Sequence, residues 1–113
     1  MAVELTTDIG KITIADDLIS NIAGYAAVEN YGIVGMNAKT AVELFGKDNL
    51  KRGVKVTTVG ANMVDIDLYV TLEYGVSLPA VARNTKSNVR YRVEEMTGIT
   101  VRAVNVHVEN IRV

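Results

Sequence analysis

The chain contains no cysteine and no tryptophan, and among its 113 residues it has one phenylalanine, one proline and one histidine. The lack of cysteine excludes disulfide bonds, thiolate catalysis and cysteine-ligated zinc, and it fits a reducing compartment. Because large aromatic side chains are so few, we expect a core built from aliphatic side chains. The single imidazole, His107, is the only histidine available for acid–base chemistry.

The chain also lacks a charge imbalance and a long hydrophobic run. The formal net charge is −1, so no overall field attracts nucleic acid or an anionic membrane. The longest apolar run, 25–28, is far shorter than the roughly 20 residues that span a bilayer. The acidic residues near the N-terminus do not fit a signal peptide. We expect one soluble domain over 1–113, in the cytoplasm, without direct membrane insertion.

The N-terminal half predicts a strand, a helix and a second strand. Alternation at Ile12 and Ile14 predicts a short strand, and Asp16 or Asp17 is expected to cap the helix that follows. That helix has an apolar stripe at helical spacing and should end near 29–30; the stripe is Ile19, Ile22, Ala23 and Ala26. The second strand, 31–36, contains two glycines, which indicate a bulge or a close backbone approach. A phosphate-binding loop is the alternative, but the motif spacing is missing. A short helix is predicted over 40–46.

The C-terminal half predicts a hairpin, a long helix and a last strand. Alternation over 64–72 favours a strand with one buried face, paired with the strand around 54–56. Ser77 and Pro79 begin the long helix, and Gly98 ends it. Its expected inward stripe is Leu78, Ala82, Thr85, Val89, Val93 and Met96. In the last strand Ile99, Val101 and Ala103 share a face, and Val104, Val106 and Val108 are one position out of phase. We therefore expect a bulge near 103–104 and a second irregularity before Ile111.

These elements predict an α+β fold. It is a two-layer domain in which two main helices, plus one short helix, pack on one face of a mixed β-sheet. Strand order does not follow from the sequence.

Three stretches carry a resemblance to a known family. They are GKITIADDLISNIAGYAAVENYGIVGM (10–36), IDLYVTLEYGVSLPAVARN (66–84) and VEEMTGITVRAVNVHVENIRV (93–113). Together they resemble the alkaline shock protein family of Gram-positive bacteria, which includes general stress proteins of the envelope, and within it the small cytoplasmic branch. The resemblance implies no enzymatic activity, no cofactor and no catalytic residue to carry over. It also implies self-association and recruitment to the inner face of the cell membrane through a membrane-anchored protein partner.

His107 is the first candidate residue. Its strand face also carries Asn105 and Glu109, and a lone histidine can be a base, a metal ligand or a pH switch. Catalysis usually needs an orienting acid and a nucleophile, and metal binding needs several ligands. We interpret His107 as a surface or interface side chain. With Tyr69, it would form part of a partner-binding face of the sheet.

The paired carboxylates and the basic cluster are the other candidates. Asp65 and Asp67 lie on one strand face, about 7 Å apart, where they could bind a metal; solubility and protection against edge pairing explain them more simply. Arg83, Lys86 and Arg90 form a basic stripe on the long helix. The alternatives for this stripe are a solvated face, a surface for a protein partner and a nucleic-acid site.

The sequence allows three different functions. We predict a non-catalytic adaptor or self-assembling scaffold linked to envelope stress or homeostasis, with neither metal nor cofactor. A small nucleic-acid-binding module is the alternative, although the net charge argues against it. An enzyme would have to use Asp65, Asp67, His107 and Glu109, and would require them within about 10 Å of one another.

Overall fold

The computed structural model describes residues 2–7, 10–30, 32–36 and 53–113, which form an α+β arrangement of six strands and two helices. The strands are β1 (Ala2–Thr7), β2 (Gly10–Ala15), β3 (Ile33–Met36), β4 (Val54–Gly60), β5 (Met63–Glu73) and β6 (Thr100–Arg112). The helices are α1 (Asp16–Val28) and α2 (Leu78–Thr97). The short helix predicted over 40–46 lies outside the described residues.

The strands form two sheets of unequal size. β1 and β2 make a separate antiparallel hairpin, in which Val3 pairs with Ile14 and both side chains are buried. The sequence predicted β2 but not β1. The larger sheet is mixed, with β5 at its centre.

Both edges of β5 are occupied by described strands. β6 pairs with it in parallel along its whole length. The antiparallel partners share the opposite edge: β4 pairs with the first half of β5 and β3 with residues 70–72. The predicted hairpin of β4 and β5 is confirmed, and the segment β5–α2–β6 is a crossover between parallel strands.

The core lies on one side of this sheet. Alternate residues of β5 are completely buried, namely Val64, Ile66, Leu68, Val70 and Leu72. They belong to one cluster that also holds buried residues of both helices, and the described members are aliphatic. The expectation of an aliphatic core is therefore confirmed for the part of the chain that the structure describes.

Helix α2 begins and ends as its sequence predicts. The Ser77 hydroxyl accepts a hydrogen bond from the Ala80 amide, and Gly98 adopts the left-handed conformation with φ of 76°. The predicted inward residues Thr85, Val89 and Val93 are buried, whereas Leu78 and Met96 are 41% and 66% exposed. These two predictions were wrong. Leu78 and Met96 share the helix face of the buried residues, but they lie in the first and last turns, beyond the buried stretch from Val81 to Val93.

Helix α1 begins differently from the prediction. Ala15 is the N-cap residue and makes no side-chain capping bond, while Asp16 and Asp17 lie in the first turn. Carboxylates there favour the helix through its macrodipole, without acting as the cap. The predicted stripe is confirmed, with Ile19, Ala23 and Ala26 buried and Ile22 packed against the core.

β6 contains the two irregularities expected from its hydrophobic pattern. The register against β5 shifts between Val101 and Ala103, and again between Val108 and Asn110. The first bulge therefore falls on Arg102, slightly earlier than predicted, so that Ala103 lies opposite Asp65 on the other face from Val101. Beyond it Val104 is buried and Val106 packs against the core, but Val108 is 37% exposed.

Glycines allow the close packing of the segment before β3. Gly32 has a φ of +97°, and a Cβ atom there would lie 2.9 Å from the Val81 Cγ2 atom of α2. A register shift between Ile33 and Gly35 adds a bulge to β3. The prediction of a bulge and a close approach in 31–36 is confirmed at these positions.

Candidate functional site

The open face of the sheet carries polar side chains that pair across β5 and β6. Because β5 alternates, its second set of side chains points away from the core, and Asp65, Asp67, Tyr69 and Thr71 are half-buried there. The parallel register places Asn105 opposite Asp67 and His107 opposite Tyr69. The structure thus brings together residues that are about 40 positions apart in the sequence.

His107 lies at the centre of this face. Its ring stacks on the Tyr69 ring, with centroids 4.6 Å apart and planes 14° from parallel. Its Nε2 atom lies 3.1 Å from Asp67 Oδ1, which also accepts a hydrogen bond from Asn105 Nδ2. The His107 side chain is 45% exposed, so the interpretation of His107 as a surface residue is consistent with the structure.

Asp65 forms an ion pair with Arg102, the residue at the first bulge. Arg102 Nε donates to Asp65 Oδ1 at 3.0 Å, and Nη2 donates to Oδ2, a bidentate geometry. The hydrogen bond from Arg102 lowers the pKa of Asp65 from its ordinary value, although desolvation opposes the shift. The same bond raises the pKa of Arg102. Sequence reasoning missed Arg102, because its partner became apparent only with the parallel register.

The four groups considered for an enzyme make different contacts. Asp67 contacts His107, whereas Asp65 binds Arg102 and Glu109 is an exposed residue at the second bulge. An Asp–His contact can orient an imidazole, and here Asp67 lies at the ring edge while Tyr69 stacks on the ring face. Among the described residues no group of three or more acidic or histidine side chains could hold a metal ion.

The basic stripe lies on α2, whose buried residues belong to the core on the opposite side of the sheet from Tyr69 and His107. Arg83, Lys86 and Arg90 are exposed. Arg90 Nη2 donates to the Arg102 carbonyl at 3.0 Å, and Glu94 Oε2 accepts from the Val101 amide at 2.8 Å. Two side chains of α2 therefore hold the start of β6, a role that the spacing of Arg90 and Glu94 on one helix did not indicate.

A groove of about 380 Å³ lies between α2 and β6. Its lining residues are Lys86, Ser87, Arg90, Tyr91, Glu94 and Val104. The other side of α2 contacts α1, where Asn88 donates to the Ala26 carbonyl and Arg92 pairs with Glu29. The groove is therefore on the outer side of α2, next to the edge of β6 that is not paired with β5.

The chain is similar to several proteins of Gram-positive bacteria. It is 39% identical to YloU of Bacillus subtilis, with 100% of this chain and 98% of that protein covered. It is 35% identical to Spy1614 of Streptococcus pyogenes, covering 100% and 97%. It is also 33% identical to a Streptococcus pyogenes protein named as a homologue of the stress response regulator gls24, covering 96% of this chain and 63% of that one.

Solved structures show a likeness of fold. A zinc form of the MamM CTD matches with a TM-score of 0.53 at 12% identity, covering 86% of this chain and 87% of that one. A second MamM CTD structure matches with a TM-score of 0.52 at 14% identity, covering 85% and 98%. At such identities the likeness concerns the fold alone.

A family model for the alkaline shock protein 23 family, described as having a cell envelope-related function, matches residues 4–113. This match, together with the relatives named above, confirms the resemblance that the sequence motifs indicated. Within the described residues, no helix is both long and apolar enough to cross a membrane. The chain belongs to the alkaline shock protein 23 family.

Proposed function

We propose that this chain is a non-catalytic adaptor or self-assembling scaffold of the cytoplasm, linked to envelope stress or homeostasis. A membrane-anchored protein partner would recruit it to the inner face of the cell membrane. Family membership supports the link to the envelope, and the name of one group of relatives supports the link to stress.

The observation that carries the adaptor role is the open face of the sheet. The side chains that could serve chemistry there are engaged with one another: Asp65 with Arg102, and Asp67 with Asn105 and His107. Burying paired charges in a protein–protein contact costs less desolvation free energy than burying single charges. The stacked Tyr69–His107 pair adds a large aromatic surface of the kind favoured in protein interfaces.

The same observation bears on the alternatives. Covalent catalysis would require a nucleophile beside the imidazole, whereas the geometry places His107 against a tyrosine ring and a carboxylate. The nucleic-acid alternative gains no support from α2, since Glu94 and Glu95 follow its basic residues directly. Tyr91 follows Arg90 on the same helix, and its hydrogen bond with Glu95 raises the pKa of the Tyr91 hydroxyl.

Light scattering over a range of protein concentrations tests self-assembly. We expect a mass that rises above the 12.2 kDa of one chain and a weaker rise in Tyr69→Ala. Tyr74→Ala is the matched control, since Tyr74 is 72% exposed and follows β5. A constant mass of one chain up to high micromolar concentration would contradict self-assembly. The adaptor role would then require a different protein, to be captured from native cells with a tagged chain and lost with Tyr69→Ala but not Tyr74→Ala.

A further inference from the structure

The unpaired edge of β6 and the groove beside it form a candidate docking surface. Among the described strands, β6 pairs with β5 alone, so its second edge is free of these partners. Between its two bulges, residues 103–108 keep a regular register. Alternate residues of this stretch direct their N–H and C=O groups to the free edge, where an added strand could bind them.

The first bulge limits this edge on one side. Arg102 falls out of register there, and its carbonyl accepts a hydrogen bond from Arg90 of α2. The second bulge, at Glu109, limits the edge on the other side. This edge therefore accommodates an added strand of about six residues. Such a length suits a short extended segment better than edge-to-edge pairing of whole sheets.

The side chains that line the groove would contact such a segment. A strand added to β6 would direct alternate side chains toward α2, into the groove with Lys86 and Arg90 on its wall and Val104 at its base. Glu94 also lines the groove, but its carboxylate accepts a hydrogen bond from the Val101 amide. The partner of Arg90 is a neutral carbonyl rather than a carboxylate. Arg83 adds a third cation one turn earlier on α2.

We propose that this surface binds an extended acidic segment of a protein partner, which adds to β6 as a strand and places alternate carboxylates beside Lys86 and Arg90. This inference rests on the adaptor function proposed above and names the class of segment that the adaptor binds. The outer edge of β4 is the internal comparison. It is likewise free of described strands, but β4 packs against α1, whereas the helix that carries the basic stripe packs against β6.

The experiment measures binding of a labelled ten-residue peptide of alternating glutamate and valine to the whole chain by fluorescence anisotropy. We expect saturable binding that weakens about tenfold in Lys86→Glu. Lys55→Glu is the matched control, because Lys55 is an exposed lysine on β4 and undergoes the same change of charge. A counterpart peptide with lysine in place of glutamate should not bind.

Amide NMR spectra then locate the peptide. We expect shifts at residues 103–108 and along the groove, and unchanged amides in β4. Absence of binding, equal weakening by Lys55→Glu, equal binding of the lysine peptide, or shifts confined to β4 would each overturn the proposal. Tighter, Lys86-dependent binding of a single-stranded RNA oligonucleotide would assign the surface to nucleic acid instead. If the peptide dissociated self-assembled chains, the edge would be an interface between copies.

These outcomes differ from a failure of the adaptor role itself. The concentration-dependent mass and the Tyr69-dependent capture test that role on the other face of the sheet. If the chain self-associates but does not bind the acidic peptide, the docking surface is refuted and the proposed function is not.

Discussion

Replacing Leu68 by alanine tests the assignment of the two faces of β5. The side chain is completely buried in the core. Removing three carbon atoms forfeits about 2 kcal/mol of burial, at about 0.8 kcal/mol for each methylene, and the cavity left behind adds to the loss. We expect Leu68→Ala to lower the free energy of unfolding by about 3–4 kcal/mol.

Two neighbours on the adjacent strand calibrate this value. Val106 pairs with Leu68 in register and is only partly buried, so Val106→Ala should cost about 1–1.5 kcal/mol. His107, the next residue on the opposite face, is 45% exposed. Its stacking on Tyr69 and its contact with Asp67 contribute little to stability at a solvent-exposed position. His107→Ala should therefore lower the free energy of unfolding by less than about 1 kcal/mol.

Urea unfolding is the assay. Because the chain has no tryptophan, far-UV circular dichroism should follow the helices, and linear extrapolation gives the free energy for each variant. A loss of about 3 kcal/mol is a large fraction of the 5–15 kcal/mol that stabilises a typical domain. Similar losses in Leu68→Ala and His107→Ala would refute the assignment, because His107 would then have to be as buried as Leu68.

Two further predictions concern the ion pair and the close approach. Because Arg102 lowers the pKa of Asp65 below 3.8, the carboxylate stabilises the fold above that pH and loses its effect as pH falls through the lowered value. The stability gap between wild type and Asp65→Asn should therefore stay constant above about pH 5 and shrink below about pH 4 in urea melts; a gap that widens in acid would contradict the pairing. Gly32→Ala should destabilise by about 2–4 kcal/mol, since the new Cβ atom meets Val81 at 2.9 Å in a left-handed conformation. Gly75→Ala has a φ of +93° and nothing within 4 Å of the added atom, so it should cost only the backbone strain of about 1–2 kcal/mol. Equal shifts of the melting temperature in the two variants would show that the loss in Gly32→Ala does not come from a clash with Val81.

The elements that sequence reasoning predicted correctly are those specified by local chemistry. Ser77 and Gly98 bound α2 because capping involves residues within one turn. The change of phase between Val101 and Val104 predicted a bulge, because a period of two cannot otherwise keep both valines on the core side. The irregular glycine segment at β3 followed from the same kind of local argument.

The site depended on long-range pairing, which the sequence does not encode locally. Nothing near Asp65 indicates Arg102, which is 37 positions away. The stacking of Tyr69 on His107 likewise required the parallel register of β5 and β6. β1 was missed because a strand of six residues in a separate hairpin gives only a weak alternation. The exposed Met96 shows that a helical stripe alone does not determine where packing stops.

The central position of β5 has a consequence for the order of folding. Its antiparallel partner β4 is joined to it by a tight turn, whereas β6 becomes available only after the 20-residue helix α2 has reversed the chain. Local pairs form faster than distant ones, because closing a longer loop costs more entropy. The early species should thus be a two-stranded hairpin in which the second edge of β5 and the outer edge of β4 are both unpaired. It would expose five aliphatic side chains on one face and Asp65 and Asp67 on the other. Before they acquire their partners in β6, these two carboxylates act as gatekeepers that repel a second copy of the same hairpin.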